Sequence, residues 1–203
     1  MKRLTLLIIT CLLSVISVAQ TWNVQLEAGK ETKAVLEGEK FTDNSYFYAY
    51  SEWVINSKDN AVSNWAQIIY ERRLGSAPIY AHGEFRTGLT TDFSFGNTYL
   101  VGAAYNILST EKGMINFDAL YRYENEQHEW QFSFVSSASF GKLQFSNYID
   151  VWGQDWMMVC SENKLYYPIM KNVKIGANIE LGYNYRHIDK WSFYPFGIVK
   201  YEF

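Results

Sequence analysis

The sequence predicts an all-β fold, a transmembrane antiparallel up-and-down β-barrel, and three observations carry that expectation. Segment after segment alternates apolar and polar residues with a period of two, the mark of strands with one apolar and one polar face. Aromatic residues make up 18% of the chain, yet the mean hydropathy is only −0.19, so bulky apolar side chains occur without long apolar stretches. The chain also opens on an export leader. A barrel in lipid needs this combination, because its lipid-facing residues alternate with lumen-facing polar ones and aromatic girdles mark both interfaces.

The leader comes first. Lys2 and Arg3 precede the apolar run LTLLIITCLLSVISV, which ends in Ser17-Val18-Ala19. A basic start, an apolar middle and a small-x-small site predict a signal peptide over 1–19, cleaved after Ala19. The run is short for a membrane span. The mature domain then covers 20–203, and 203 − 19 leaves 184 residues, enough for one domain. Its single cysteine, Cys160, excludes a scaffold held by internal disulfides. Without Lys2 and Arg3 the balance is 16 basic against 21 acidic residues. No basic block points to a nucleic-acid polymer.

The elements follow in order. In 21–29, Trp22, Val24, Leu26 and Ala28 oppose Asn23, Gln25 and Glu27. Segment 33–41 is the weakest strand, with Glu37 and Glu39 on one face. In 45–54, Phe47, Ala49 and Trp53 oppose Tyr46, Tyr48, Tyr50 and Glu52. Segment 63–74 is apolar enough for a strand, but its register is ambiguous. In 79–89, Ile79, Ala81 and Phe85 oppose Tyr80, His82, Glu84 and Arg86. In 98–108, Tyr99, Val101, Ala103, Tyr105 and Ile107 oppose Gly102, Ala104 and Asn106.

The clearest alternation is GMINFDALYRYE (113–124). There Ile115, Phe117, Ala119, Tyr121 and Tyr123 oppose Asn116, Asp118, Arg122 and Glu124, with Leu120 as the apolar exception. In 129–139, Trp130, Phe132 and Phe134 oppose Gln131 and Ser133; in 142–152, Leu143, Phe145, Ile149 and Val151 oppose Gln144, Ser146, Asp150 and Trp152. Segment 156–167 is blurred, with Glu162 and Lys164 as inward candidates. In 172–185, Val173, Ile175, Ala177, Ile179, Leu181 and Tyr183 oppose Lys174, Asn178, Glu180 and Asn184. The last strand is 192–203.

The count is twelve strands, or ten if 33–41 and 156–167 drop out. Twelve gives about 15 residues per strand plus connection, in keeping with strands of ~9–11 residues. TDNS, GSAP, LSTEKG, SFGK and YPIMKN read as tight turns; GKET, INSKDNA, TGLTTDFSFGN, ENEQHE, GQD and YRHIDKW read as the longer loops of the opposite end. A soluble sandwich also alternates, but its apolar face is a core filled mainly by Val, Ile and Leu. Here that face is rich in Tyr, Trp and Phe, while carboxylates and arginines sit at mid-strand.

Val199, Tyr201 and the terminal Phe203 share one parity. This ending resembles the C-terminal signature that the barrel-assembly machinery reads on outer-membrane barrels. VLEGEKFTDNSYFYAYSEW, SAPIYAHGEF, YIDVW and SENKLYYPIMKNVKIGANIELGYNY resemble a small Bacteroidetes outer-membrane family of unknown function. That family is in turn similar to the Tsx-type nucleoside-specific channels, whose first three strands 23–53 resembles. The resemblance implies a twelve-stranded monomeric barrel in the outer membrane of a Gram-negative bacterium, surrounded by lipid, and a narrow pore for small polar solutes, nucleosides among them.

The candidate solute-facing residues are Tyr46, Tyr48, Tyr50, Glu52, His82, Glu84, Arg86, Asp118, Arg122, Asp150, Trp152 and Glu180, with Glu124 beside them. Charged groups replace part of a solute's hydration, and aromatic walls offer a ring a surface to stack on. Gly102 and Ala104 are small, so Glu84 and Arg122 are expected to reach each other across the strand between them. The alternative is a closed barrel whose lumen is filled by ion-paired side chains and whose TGLTTDFSFGN loop binds at the surface. Nothing suggests an enzyme: His128 and His187 fall in predicted loops, and His82 lacks a Ser two residues on. His82 and Glu84 alone are too few ligands for a metal. No metal or cofactor is expected.

Overall fold

A computed structural model describes residues 20–56, 61–89, 94–153, 157–184 and 190–203; the expected leader lies outside them, as does His187. Its strands are β1 (Thr21–Gly29), β2 (Thr32–Phe41), β3 (Ser45–Asn56), β4 (Ala61–Arg73), β5 (Ile79–Leu89) and β6 (Ser94–Thr110). They continue as β7 (Gly113–Glu124), β8 (Gln127–Phe140), β9 (Leu143–Trp152), β10 (Met158–Pro168), β11 (Val173–Tyr183) and β12 (Trp191–Glu202). Each pairs antiparallel with its neighbour in sequence, and β12 closes on β1 through pairs from Asn23↔Glu202 to Gly29↔Phe196. The count is twelve, with both weak segments included as β2 and β10. Closure removes every sheet edge, as a span through lipid demands.

Alternation along each strand separates two environments. Leu100 and Leu120 are 0% exposed, whereas Val101, next to Leu100, is 57% exposed. Phe117 and Phe132 stack on each other with centroids 6.1 Å apart, and both stand on the outside. Leu26, Trp130, Phe193 and Val199 are exposed on the same surface. Trp22 lies across its cross-strand partner Gly38, covering backbone that a glycine would leave bare. Polar side chains also occur on the outer face, and Asn64 on β4 donates to Ser51 on β3 at 3.3 Å. Asn147 on β9 donates to the Asn163 side chain on β10 at 2.8 Å, and Asn163 donates to Ser161 at 3.1 Å, so amides facing outward satisfy one another.

The interior is not uniformly polar, which corrects the simple inversion read from the sequence. Val35, Leu100, Leu120, Phe196 and Ile198 are buried on the inward face. These form dry wall between the ionised groups, and at Gly102 β6 lies tightly against β7. A Cβ at Gly102 would run into the Ala119 carbonyl oxygen and lie 2.9 Å from the Leu120 Cα. Gly102→Val should therefore destabilise the folded barrel by about 1–3 kcal/mol, the usual range for overpacking. Denaturant titration of the protein refolded in lipid vesicles would measure this.

Several predicted loops are shorter than the sequence implied. Pairing continues through Gly88↔Phe95 and Leu89↔Ser94, past a register shift between Arg86 and Gly88, so most of TGLTTDFSFGN is strand. Within it only 90–93 lies between β5 and β6, outside the described residues. ENEQHE collapses to a two-residue turn in which Asn125 (φ 49°) and Glu126 (φ 65°) both adopt positive φ, the geometry that matches strand twist in a hairpin. His128 consequently lies on β8, where its Nδ1 meets the Tyr121 hydroxyl. GKET is likewise a short reversal between Gly29 and Thr32.

Candidate lumenal site

Contacts that skip strands locate the interior. Arg86 on β5 reaches Asp150 on β9 at 3.0 Å. Tyr166 on β10 donates to Gln25 on β1 at 2.7 Å, and Lys33 on β2 pairs with Glu180 on β11. Such pairs can be made only across the inside of the barrel. Registers then carry the inward parity from strand to strand, as in the row Tyr46, Glu71, His82, Gly102, Leu120, Gln131 and Trp152. On this assignment Tyr46, Tyr48, Tyr50, Glu52, His82, Glu84, Arg86, Asp118, Arg122, Asp150, Trp152 and Glu180 all face the lumen, as does Glu124.

Side by side on β3 and the end of β2 runs an aromatic ladder. Phe41 stacks on Tyr46 at 4.6 Å, and Tyr46, Tyr48 and Tyr50 follow at 6.3 Å spacings with near-parallel rings. The spacing is that of alternate residues on a strand, so the ladder follows directly from the YFYAY pattern. Its last hydroxyl, Tyr50, donates to Glu52 at 2.7 Å.

One ionised cluster gathers beside the ladder's end. The Lys33 ammonium contacts Glu180 and lies 3.3 Å from Glu52, with the Phe196 ring 4.8 Å away. Carboxylate oxygens of Glu52, Glu162 and Glu180 lie within 4.8 Å of one another. Glu52 and Glu162 come from β3 and β10, on nearly opposite sides of the ring. Lys164 pairs with Glu162 at 2.8 Å and lies 3.7 Å from Glu27, to which Asn178 donates at 3.0 Å.

The second cluster occupies the other half. Glu84 contacts Arg86, accepts from Gln67 at 2.6 Å, and lies 3.3 Å from His82 Nε2. His82 Nδ1 lies 2.8 Å from Glu71. Ser133 donates to Asp150 at 2.6 Å and accepts from Gln131 at 3.1 Å. Arg122 contacts Glu124, donates to Gln131 at 3.0 Å, and stands over the Trp152 ring at 5.0 Å.

Arg122 therefore does not pair with Glu84 as the sequence suggested. The reason is register: Glu84 lies opposite Leu100, and Leu100 lies opposite Arg122, so a fully buried leucine fills the gap. The small residues Gly102 and Ala104 instead fall between His82 and Leu120 and between Tyr80 and Asp118. Gln25, Glu27 and Gln131, on the polar parity of their strands but outside the solute-facing set read from the sequence, and Lys33 and Glu71, which that reading did not assign to a face, are all buried on the inward face. For Glu71, the period-two parity of 63–74 would have served had its register been resolved by His82 across the turn.

A family model described as a domain of unknown function (DUF5020) matches residues 22–203. No curated protein sequence matches. Among solved structures, a KdgM porin aligns with a TM-score of 0.58 at 14% identity, covering 90% of this chain and 99% of its own. The KdgM porin in complex with disordered oligogalacturonate aligns at 0.56 and 15% identity, with the same coverage. A NanC porin aligns at 0.60 and 9% identity, covering 89% of this chain and 98% of its own. At these identities the likeness is one of fold: a closed antiparallel barrel of the outer-membrane porin kind.

Proposed function

The chain belongs to the DUF5020 family, and from the chemistry of its barrel we propose that it is an outer-membrane channel for passive diffusion of small polar solutes. The observation that carries this is the lumen wall: a stacked tyrosine ladder flanked by two ionised clusters, inside a cylinder whose outer surface is apolar. A purely structural filling has no need of aromatic rings aligned in one file. A file of rings offers a stacking surface, and charges at its sides can replace hydration. Nucleosides, with a flat base and a polyhydroxyl sugar, fit that wall, as the Tsx-type resemblance implies.

The lumen favours neutral or cationic solutes. Glu27, Glu52, Glu162 and Glu180 surround Lys33 and Lys164; Glu71, Glu84, Asp118 and Asp150 surround Arg86 and His82. This acidic excess would repel a polyanion such as the oligogalacturonate named for the KdgM complex. The same proposal has the barrel monomeric in the outer membrane of a Gram-negative, Bacteroidetes-like bacterium. It is inserted there by assembly machinery that reads Phe203, and it needs no cofactor.

The cross-lumen pair of Arg86 with Asp150 favours a second reading, a closed barrel with a structural or surface-binding role. Planar-bilayer recording separates the two. The channel reading expects discrete conductance steps, a reversal potential in a KCl gradient that marks cation preference, and larger steps in Arg86→Ala, which removes the crossing side chain. Liposome swelling should be faster with adenosine or uridine than with galacturonate oligomers. A silent bilayer from folded protein, with Arg86→Ala silent too, would overturn the channel and leave the closed barrel.

A further inference from the structure

We propose that Glu71, His82 and Asp118 form a binding site for a single divalent transition-metal ion of the Zn²⁺ class inside the barrel. Three strands, β4, β5 and β7, supply the donors. Glu71 on β4 is the direct cross-strand partner of His82 on β5. Asp118 comes from β7, two strands on, and approaches because β6 interposes only Gly102 and Ala104. One donor atom from each lies within 4.8 Å of the others. Donors on a zinc ion sit roughly 3.3 Å apart, from bonds of about 2 Å; His82 Nδ1 and Glu71 are 2.8 Å apart, so small shifts, slightly apart for this pair and inward for Asp118, complete the set.

A second observation points to a ligand. Asp118 is 5% exposed, and its Oδ1 accepts no hydrogen bond. A buried carboxylate oxygen without a partner is costly, and here it belongs to a side chain aimed at an imidazole and another carboxylate. Among the described residues no lysine or arginine lies within ion-pair distance of Glu71 or Asp118. The other converging trio, Glu52, Glu162 and Glu180, differs in this respect, since Lys33 and Lys164 already occupy it.

The surroundings also suit a metal. His82 Nε2 lies against Glu84, which is itself held by Arg86 and Gln67. With Nε2–H donating to Glu84, Nδ1 presents its lone pair on the side of Glu71. This is the carboxylate–histidine–metal arrangement in which an outer acid fixes the tautomer. One imidazole with two carboxylates suits zinc and its borderline neighbours better than calcium or magnesium, which prefer oxygen alone.

The test uses full-length mature protein, folded in detergent, stripped with EDTA and titrated with ZnCl₂ by calorimetry. One Zn²⁺ per barrel is expected. Asp118→Asn and His82→Gln should abolish binding, Glu84→Gln should weaken it about 10–100-fold as an outer partner, and Glu111→Gln, in the exposed turn between β6 and β7, should leave it unchanged. Heat-modifiable electrophoretic mobility reports whether each variant is folded. If a ligand variant does not fold, X-ray absorption of zinc-loaded wild type decides: one imidazole with oxygen donors supports the site, and a shell without imidazole overturns it. Absence of binding to wild type, retention in folded Asp118→Asn, or displacement of Zn²⁺ by equimolar Ca²⁺ would equally overturn it. None of these readouts depends on whether the barrel conducts.

Discussion

Replacing Lys33 with Met should destabilise the folded barrel by about 3–5 kcal/mol, the cost of removing one partner from a buried ion pair. The Lys33 side chain is 2% exposed and sits between Glu52 and Glu180. Without it, the carboxylates of Glu52 on β3 and Glu180 on β11 face each other and Glu162 with one positive charge fewer among them. Met conserves most of the volume, so the loss is of charge rather than packing. Lys33→Met combined with Glu180→Gln should recover part of the stability, since the orphaned acid is then neutral. Urea unfolding from lipid vesicles, followed by tryptophan fluorescence, measures both. A double variant no more stable than the single one would refute the pairing.

Arginine in place of Phe132 should cost about 2–4 kcal/mol, because an outward charge near mid-membrane must be drawn from hydrocarbon or thin the bilayer. At Phe140, at the end of the same strand, the same change should cost only ~0–1 kcal/mol. Both rings are exposed on the outer surface, so burial inside the protein does not distinguish them; depth in lipid does. Equal costs at the two positions would mean that the apolar surface does not face a bilayer.

Much of this architecture is readable from parity. Glu52, on the same face as Tyr46, Tyr48 and Tyr50, suffices to turn those rings inward, since a carboxylate on the lipid side is expensive. The opposition of Phe117 and Phe132 to Asp118 and Ser133 likewise fixes which side is wet. Parity says nothing about register, however. Whether Glu84 meets Arg122 or Arg86 depends on which residue of β6 falls opposite each, and Leu100 rather than Gly102 does. Strand ends are obscured where Gly and Asn imitate a loop, as in SFGN, although its Ser94 and Phe95 pair with β5. β2 read as weak because Val35 faces inward between Lys33 and Glu37, an apolar residue where only polar ones were sought. The convergence of Glu71, His82 and Asp118 is likewise invisible in one dimension, since it needs two gaps in β6 to fall at the right height.

The polar ties from the final third of the chain to its first strands have a kinetic consequence. Gln25 and Glu27 on β1 are held by Tyr166, Asn178 and Lys164, and Lys33 is held by Glu180. Each joins residues about as far apart along the polypeptide as this molecule allows, so the contact order is high and none can form until the last hairpins exist. Loop-closure entropy is then met late and all at once. The two ends of the ribbon behave like a clasp with teeth on the inside, and a chain shortened before β10 would leave Gln25 and Glu27 without these partners and β1 without a strand on its far side.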